Sequence, residues 1–173
     1  MNRRHFFTQT ALGAATAAQA QIAIPDVSEP APLVITPPVV MAPRTDGVEI
    51  VWGIARHARG WVELKRDGEV RRIGGTGYGF STQGDKALRV RLEGLTAGTK
   101  HTYRIVTEAM DEPAAREESA WREFRTLDAA AAQTRFAVWN DTHVNNATIS
   151  QLDAKTPTGV DFLLWNGDIC NDW

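Results

Sequence analysis

Between Val39 and Leu127, apolar residues fall two apart in short runs separated by turn signals, a period that belongs to strands rather than helices. Val48, Ile50, Trp52 and Ile54 would line one face of a strand, and Val62 and Leu64 open the inward face of the next. Leu88, Val90 and Leu92 make a third run, followed by Tyr103 and Ile105 and then Phe124. Asp67-Gly68 is a hairpin signal, because both central positions of a two-residue turn need positive φ. About seven short strands in about 90 residues predict a two-sheet sandwich over 39–127. Six tryptophans in 173 residues favour a packed body over a disordered one.

The stretch from Leu95 to Tyr103, Leu-Thr-Ala-Gly-Thr-Lys-His-Thr-Tyr, resembles the turn entering strand F of fibronectin type III domains. That turn usually reads Leu-x-Pro-x-Thr-x-Tyr. Ala97 and Gly98 replace the proline-led turn, and His101 stands where the family places its corner tyrosine. The resemblance implies a fibronectin type III-like sandwich with His101 in a structural role, its imidazole N–H replacing the tyrosine hydroxyl. The glycine-rich run Gly74 to Gly79 is not read as a phosphate cradle, because no helix and no Lys-Ser/Thr pair follows it. His57 falls in a loop between strands, facing solvent by default.

Ahead of the sandwich, Arg3-Arg4 and Phe6-Phe7 precede a weakly apolar run from Ala11 to Ala18 and a small-x-small ending, Ala18-Gln19-Ala20. A basic start, a short apolar middle and such an ending form an export signal over 1–20. The arginine pair resembles the twin-arginine leader, which implies the twin-arginine export machinery as a partner and a periplasmic or secreted location. The run is too short and alanine-rich to span a bilayer, which needs about 20 apolar residues, so no membrane span is expected after cleavage. Pro25, Pro30, Pro32, Pro37 and Pro38 then exclude helix and predict an extended linker over 21–38.

A short alanine-rich joint, 128–134, introduces a different pattern. Phe136 to Trp139 is an almost continuous apolar run, as expected of a strand buried on both faces of a parallel sheet, and it ends in Asn140-Asp141-Thr142-His143. Asn146 to Asp153 suits a helix with Ile149 and Leu152 on one side. Val160 to Trp165 is a second apolar strand, ending in Asn166-Gly167-Asp168. Strand, helix, strand predicts a βαβ unit with a parallel pair, whose carboxyl ends are where α/β folds place ligands. In extended backbone Asp141 and His143 would project to one side, and Asp168 would arrive from the neighbouring strand. Carboxylates and an imidazole converging in this way suit a metal ion of borderline softness.

Asp-x-His on one strand end and Gly-Asp on the next resemble the calcineurin-like metallophosphoesterase superfamily. The resemblance implies that Asp141 and His143 bind one metal ion and that Asp168 bridges two, drawn from Fe, Zn or Mn. It covers 135–173, the front of a metallophosphoesterase domain. Leader, fibronectin-like domain and then this motif also resemble the purple acid phosphatase layout. That subfamily has Gly at the position of His143 and Tyr at the position of Asn171, so an iron–tyrosinate centre is not implied. Asn171 lies close enough in sequence to help position a ligand.

The family's further ligands, an Asn-His pair, another His and a Gly-His-x-His, are absent from these 173 residues. They and the catalytic groups are expected downstream of Trp173, and the chain alone is expected to be inactive. With two strands and one helix, Trp139, Leu163, Leu164 and Trp165 are expected to be exposed. The implied substrate is a small-molecule phosphate ester, with monoester, diester and nucleotide all open. A net charge of −2, with charges interspersed, points to no nucleic-acid partner. The competing reading is a non-catalytic β-sandwich binding module with a vestigial tail. Cys170 is the single cysteine, which rules out an intramolecular disulfide.

Overall fold

The structure is a computed structural model, and it describes residues 31–74, 82–112, 114–143 and 145–167. The leader, the start of the linker, most of the glycine-rich loop, Asp168, Cys170 and Asn171 lie outside the described residues. Met1–Ala31 and Pro32–Trp173 separate as two units, and the second is described below. Among the described residues no helix is long and apolar enough to cross a membrane.

In chain order the strands are β1 (Val39–Met41), β2 (Val48–Gly53), β3 (Ala58–Arg66), β4 (Glu69–Ile73), β5 (Thr82–Gly84), β6 (Ala87–Leu92), β7 (Lys100–Ala109), β8 (Arg116–Glu118) and β9 (Arg122–Arg125). β1, β2 and β6 form one antiparallel sheet in the order β1-β2-β6. β4-β3-β7-β8 form the other, with β5 also paired to β3 and β9 to β7. The fold is thus mostly β, two sheets enclosing one core, as the period-two pattern predicts. Val48, Ile50, Trp52, Ile54, Val62, Leu64, Leu88, Val90, Leu92, Tyr103, Ile105 and Phe124 are all buried in it. Asp67 and Gly68 take φ of 53° and 81°, the double positive value that a tight β3–β4 hairpin requires.

One polar contact ties the two sheets. The Trp52 indole N–H, on β2, donates across the core to Thr107 Oγ1 on β7 at 2.9 Å, and both residues are buried. Thr107 pairs in register with Gly60 of β3. A Cβ on Gly60 would come within 2.6 Å of Trp52 Cζ2 and 2.7 Å of Leu88 Cδ1, so glycine opens the slot that the indole fills. On β2, Glu49 is 7% exposed and accepts two hydrogen bonds from Arg91, at 3.0 and 2.8 Å. Those bonds hold its carboxyl below the usual carboxylate range, with Arg89 adding its charge, against the opposing effect of burial.

The sandwich also takes in the end of the proline-rich stretch. Leu33 is buried in the core, Val34 bridges Ile54, and Ile35 N–H donates to Gly53 O at 3.0 Å. From the other sheet, the Glu117 carboxylate accepts the backbone N–H groups of both Leu33 and Val34. Prolines forbid helix but not a bridged, extended strap, so the domain is bounded by burial and not by the last proline. The corner before β7 differs in detail from the expected one. His101 Nε2 lies 3.4 Å from Thr96 O, whereas the Thr126 hydroxyl donates to the same carbonyl at 2.6 Å. Threonine supplies the shorter bond, and the imidazole packs on Phe124, ring centres 5.2 Å apart. His57 sits beside the Asp85 carboxylate at the surface.

Thr107→Val keeps the shape and strands the Trp52 N–H, so it is expected to lower unfolding free energy by about 1–3 kcal/mol in urea titrations. Because the Glu49 carboxyl is depressed in the folded state, its stabilisation is present above the ordinary carboxylate range and lost as pH falls from there through its lowered folded-state value. Glu49→Gln should therefore flatten the acid side of the stability–pH curve. An unchanged acid limb would remove that assignment.

Candidate metal centre

After the sandwich, the Asp128 carboxylate accepts Ala130 N–H at 2.9 Å, turning the chain out of β9. Three elements follow: β10 (Phe136–Asn140), α1 (Asn146–Lys155) and β11 (Phe162–Asn166). β10 and β11 pair in parallel, Phe136 opposite Phe162 through Asn140 opposite Asn166. Arg135 and Asp161 start the pair: Asp161 N–H donates to Arg135 O and Arg135 N–H to the Asp161 carboxylate, each at 2.7 Å. The register matches like with like. Phe136 and Phe162 stack at 5.4 Å, Trp139 and Trp165 meet edge to face at 5.4 Å, and Asn166 Nδ2 donates to Asn140 Oδ1 at 3.0 Å.

α1 is set by its ends. Asn145 caps it, its side chain accepting Ala147 and Thr148 N–H at 3.0 and 3.1 Å. At the other end the Trp139 indole donates to Thr156 Oγ1 at 3.0 Å, tying the close of the helix to β10. Ile149 and Leu152 are half-buried, and no α1 residue is fully buried. Leu163 and Leu164 are exposed as the sequence predicts, but Trp139 is buried at 8% and Trp165 is half-buried. The expectation for these two fails because the indoles pack edge to face and each is hydrogen-bonded, Trp139 to Thr156 at the end of α1 and Trp165 to Thr142 in the turn after β10.

Extended backbone ends at Asn140, so the same-side projection expected of Asp141 and His143 is replaced by a turn. Asp141 and His143 take φ of 45° and 48°, left-handed values that cost a non-glycine residue roughly 1–2 kcal/mol each. Between them Thr142 is 1% exposed, and its hydroxyl accepts the Trp165 indole N–H at 3.0 Å. With Thr142 turned inward, its two neighbours are both exposed at the strand end. Asp141 N–H donates to Asn166 O at 3.3 Å, extending the β10–β11 pairing by one bond.

Asp141 and Gly167 are brought together. A Cβ on Gly167 would overlap Asp141 Oδ1 and lie 3.2 Å from Cγ, and Gly167 itself has a φ of 79°. The Asp141 carboxylate therefore lies across the end of β11, against the residue before Asp168, in space that only glycine leaves. Among the described residues no group of three or more His, Cys, Asp or Glu could hold a metal ion. Carboxylate oxygens and an imidazole exposed at one strand end nonetheless fit Fe, Zn or Mn by donor type. Thr142, Trp165 and the Asn140–Asn166 pair were not singled out from sequence. The available signal was the Trp-Asn dipeptide closing both apolar runs, Trp139-Asn140 and Trp165-Asn166.

No family model matches the chain, and no curated protein matches it. Among solved structures, it is similar to purple acid phosphatase PPD1 isolated from yellow lupin (Lupinus luteus) seeds, with a TM-score of 0.53 and 14% identity. The likeness is one of fold. It covers 77% of this chain and 29% of the lupin chain, so this chain spans under a third of the phosphatase it resembles. The fibronectin type III domain derived from human KIAA0970 protein aligns over 58% of this chain and 77% of its own, at 13% identity and a TM-score of 0.41.

Gly167→Ala is expected to push the Asp141 carboxylate off the end of β11 while leaving the sandwich intact. Amide chemical shifts should move at Asn140–Thr142 and Asn166–Gly167 and stay fixed in β2, β3, β6 and β7. Shifts confined to residue 167 and its chain neighbours would show that no such contact exists.

Proposed function

We propose that this chain is the front part of an exported, metal-dependent phosphoesterase of the calcineurin-like type, with a fibronectin-like sandwich ahead of its catalytic domain. The observation that carries the reading is the Asp141 carboxylate lying against Gly167, at the carboxyl ends of two parallel strands and next to Asp168 in sequence. The phosphatase fold likeness supports it. In this reading Asp141, His143 and Asp168 would hold two metal ions, Fe, Zn or Mn. Bound there, the ions would supply a nucleophile at neutral pH and offset charge on the phosphoryl oxygens of a phosphate ester.

The chain's own residues set the donors. Gly167 admits the Asp141 carboxylate, and the Asn140–Asn166 amide pair holds the two strand ends level. Thr142 faces inward, so the side chains flanking it are left to the solvent side, where a phosphate ester would arrive. Three side chains are fewer donors than two ions need, so the full site requires donors from outside these 173 residues. On the same reading the leader over 1–20 directs export through the twin-arginine machinery to the periplasm or beyond.

A second reading, a binding module, is favoured by a groove of about 370 Å³ on the sandwich, between Val34–Pro38 and the Glu117–Ala120 bend. Metal binding separates the two. Mn²⁺ added to the 173-residue chain is expected to broaden amide signals at Asn140–Thr142 and Asn166–Gly167. Asp141→Asn, His143→Ala and Asp168→Asn should each remove the effect, and His57→Ala and His101→Ala should not. Broadening that is absent, or equally lost in all five variants, would leave the sandwich as the working part. Phosphate-ester hydrolysis by the 173 residues alone would contradict the donor count.

A further inference from the structure

We propose that Thr142 and Trp165 are a positioning pair, whose hydrogen bond holds the Asp141–His143 turn in the conformation that presents both donors. The inference rests on the phosphoesterase reading for the role of those donors, but not for the conformation itself. The geometry is specific. Thr142 is the buried residue of the turn, 1% exposed, and the residues on either side carry left-handed φ of 45° and 48°. Neither flanking position is glycine, and although Asp and His enter the left-handed region more readily than most residues, two such angles around one residue carry a cost that a contact from outside the turn offsets.

The Trp165 indole N–H reaches Thr142 Oγ1 at 3.0 Å from the neighbouring strand. Trp165 is in turn fixed by the in-register pairing with Trp139 and by the edge-to-face contact at 5.4 Å. Trp139 is anchored through Thr156 to the end of α1. The chain of contacts runs from the helix end through two indoles to one hydroxyl in the turn. The inward threonine leaves residues 141 and 143 to face out, and a residue of similar size without a hydroxyl would leave the Trp165 N–H without this acceptor and the turn without its tie to β11. Groups that hold metal ligands through a hydrogen bond typically change metal affinity by about 10–100-fold when removed.

The test uses the full chain with Thr142→Val, Thr142→Ser and Trp165→Phe, with Asp141→Asn as the control for the donor reading. Without metal, strong intraresidue HN–Hα contacts in NMR spectra mark left-handed backbone at Asp141 and His143. Thr142→Val and Trp165→Phe should lose those marks while shifts across β2, β3, β6 and β7 stay in place, and Thr142→Ser should keep them. Mn²⁺ affinity should fall about tenfold or more in the first two variants and hold in Thr142→Ser. Left-handed marks and affinity that both survive Thr142→Val and Trp165→Phe overturn the proposal. So does a loss in Thr142→Ser equal to that in Thr142→Val. Unchanged Mn²⁺ affinity in Asp141→Asn would instead remove the donor reading, and the metal-free spectra would still decide the pair.

Discussion

The parallel, in-register pairing of β10 with β11 is the constraint on which the candidate centre depends. Side chains directly opposite each other share a face, and so one register decides that Trp meets Trp and Asn meets Asn. A slip of one residue between the strands would put Trp139 and Trp165 on opposite faces and part the two phenylalanines in the same way. Because the ladder ends level at Asn140 and Asn166, the next residue of each strand begins a turn at the same height. That is why Asp141 meets Gly167 and not some other part of the second strand.

Two requirements then compete at residues 141–143, and the second prevails. Continuing the strand would keep ordinary backbone angles but would place Asp141 over β11 only by its backbone. Turning instead costs left-handed φ at two non-glycine residues, and it gains a buried threonine hydroxyl on the Trp165 indole and a carboxylate over Gly167. An indole N–H left unpaired at a half-buried position has its own cost of about 1–3 kcal/mol, comparable to the strain. Local backbone strain balanced by contacts from a second element is a recurrent property of functional sites.

The sandwich was legible in the sequence wherever burial alternates. Val48, Ile50, Trp52 and Ile54 could be read inward because a half-buried strand has no other way to arrange them, and the Asp67-Gly68 turn because few residue pairs tolerate its angles. Legibility failed where a contact is made across sequence distance. Prolines marked residues up to 38 as tether, yet Leu33 fills the core and Glu117 holds its backbone, a partner 84 residues away. Asp141 and His143 were legible as donors by residue type. The turn they occupy was not, because no glycine or proline announces it and the indole that sustains it lies 23 residues on. His101 illustrates a substitution read at the right place with the wrong partner: the corner carbonyl of Thr96 is bonded more closely by Thr126.

The two halves of Pro32–Trp173 differ in how far they satisfy themselves. The sandwich joins its sheets through Trp52 and Thr107 and covers Glu49 with two arginines, and its core is closed on both sides. In the βαβ segment the Trp139 and Trp165 indoles are covered, while Leu163 on their face and Phe136, Val138 and Leu164 on the other stand exposed. A strand pair needs a second layer to bury such a face. On the proposed reading, the uncovered face and the shortage of metal donors have one cause, since a further layer of the same domain would supply both. The Asp141–Gly167 contact lies in the same segment, local to the two strand ends and apart from the contacts that close the sandwich core.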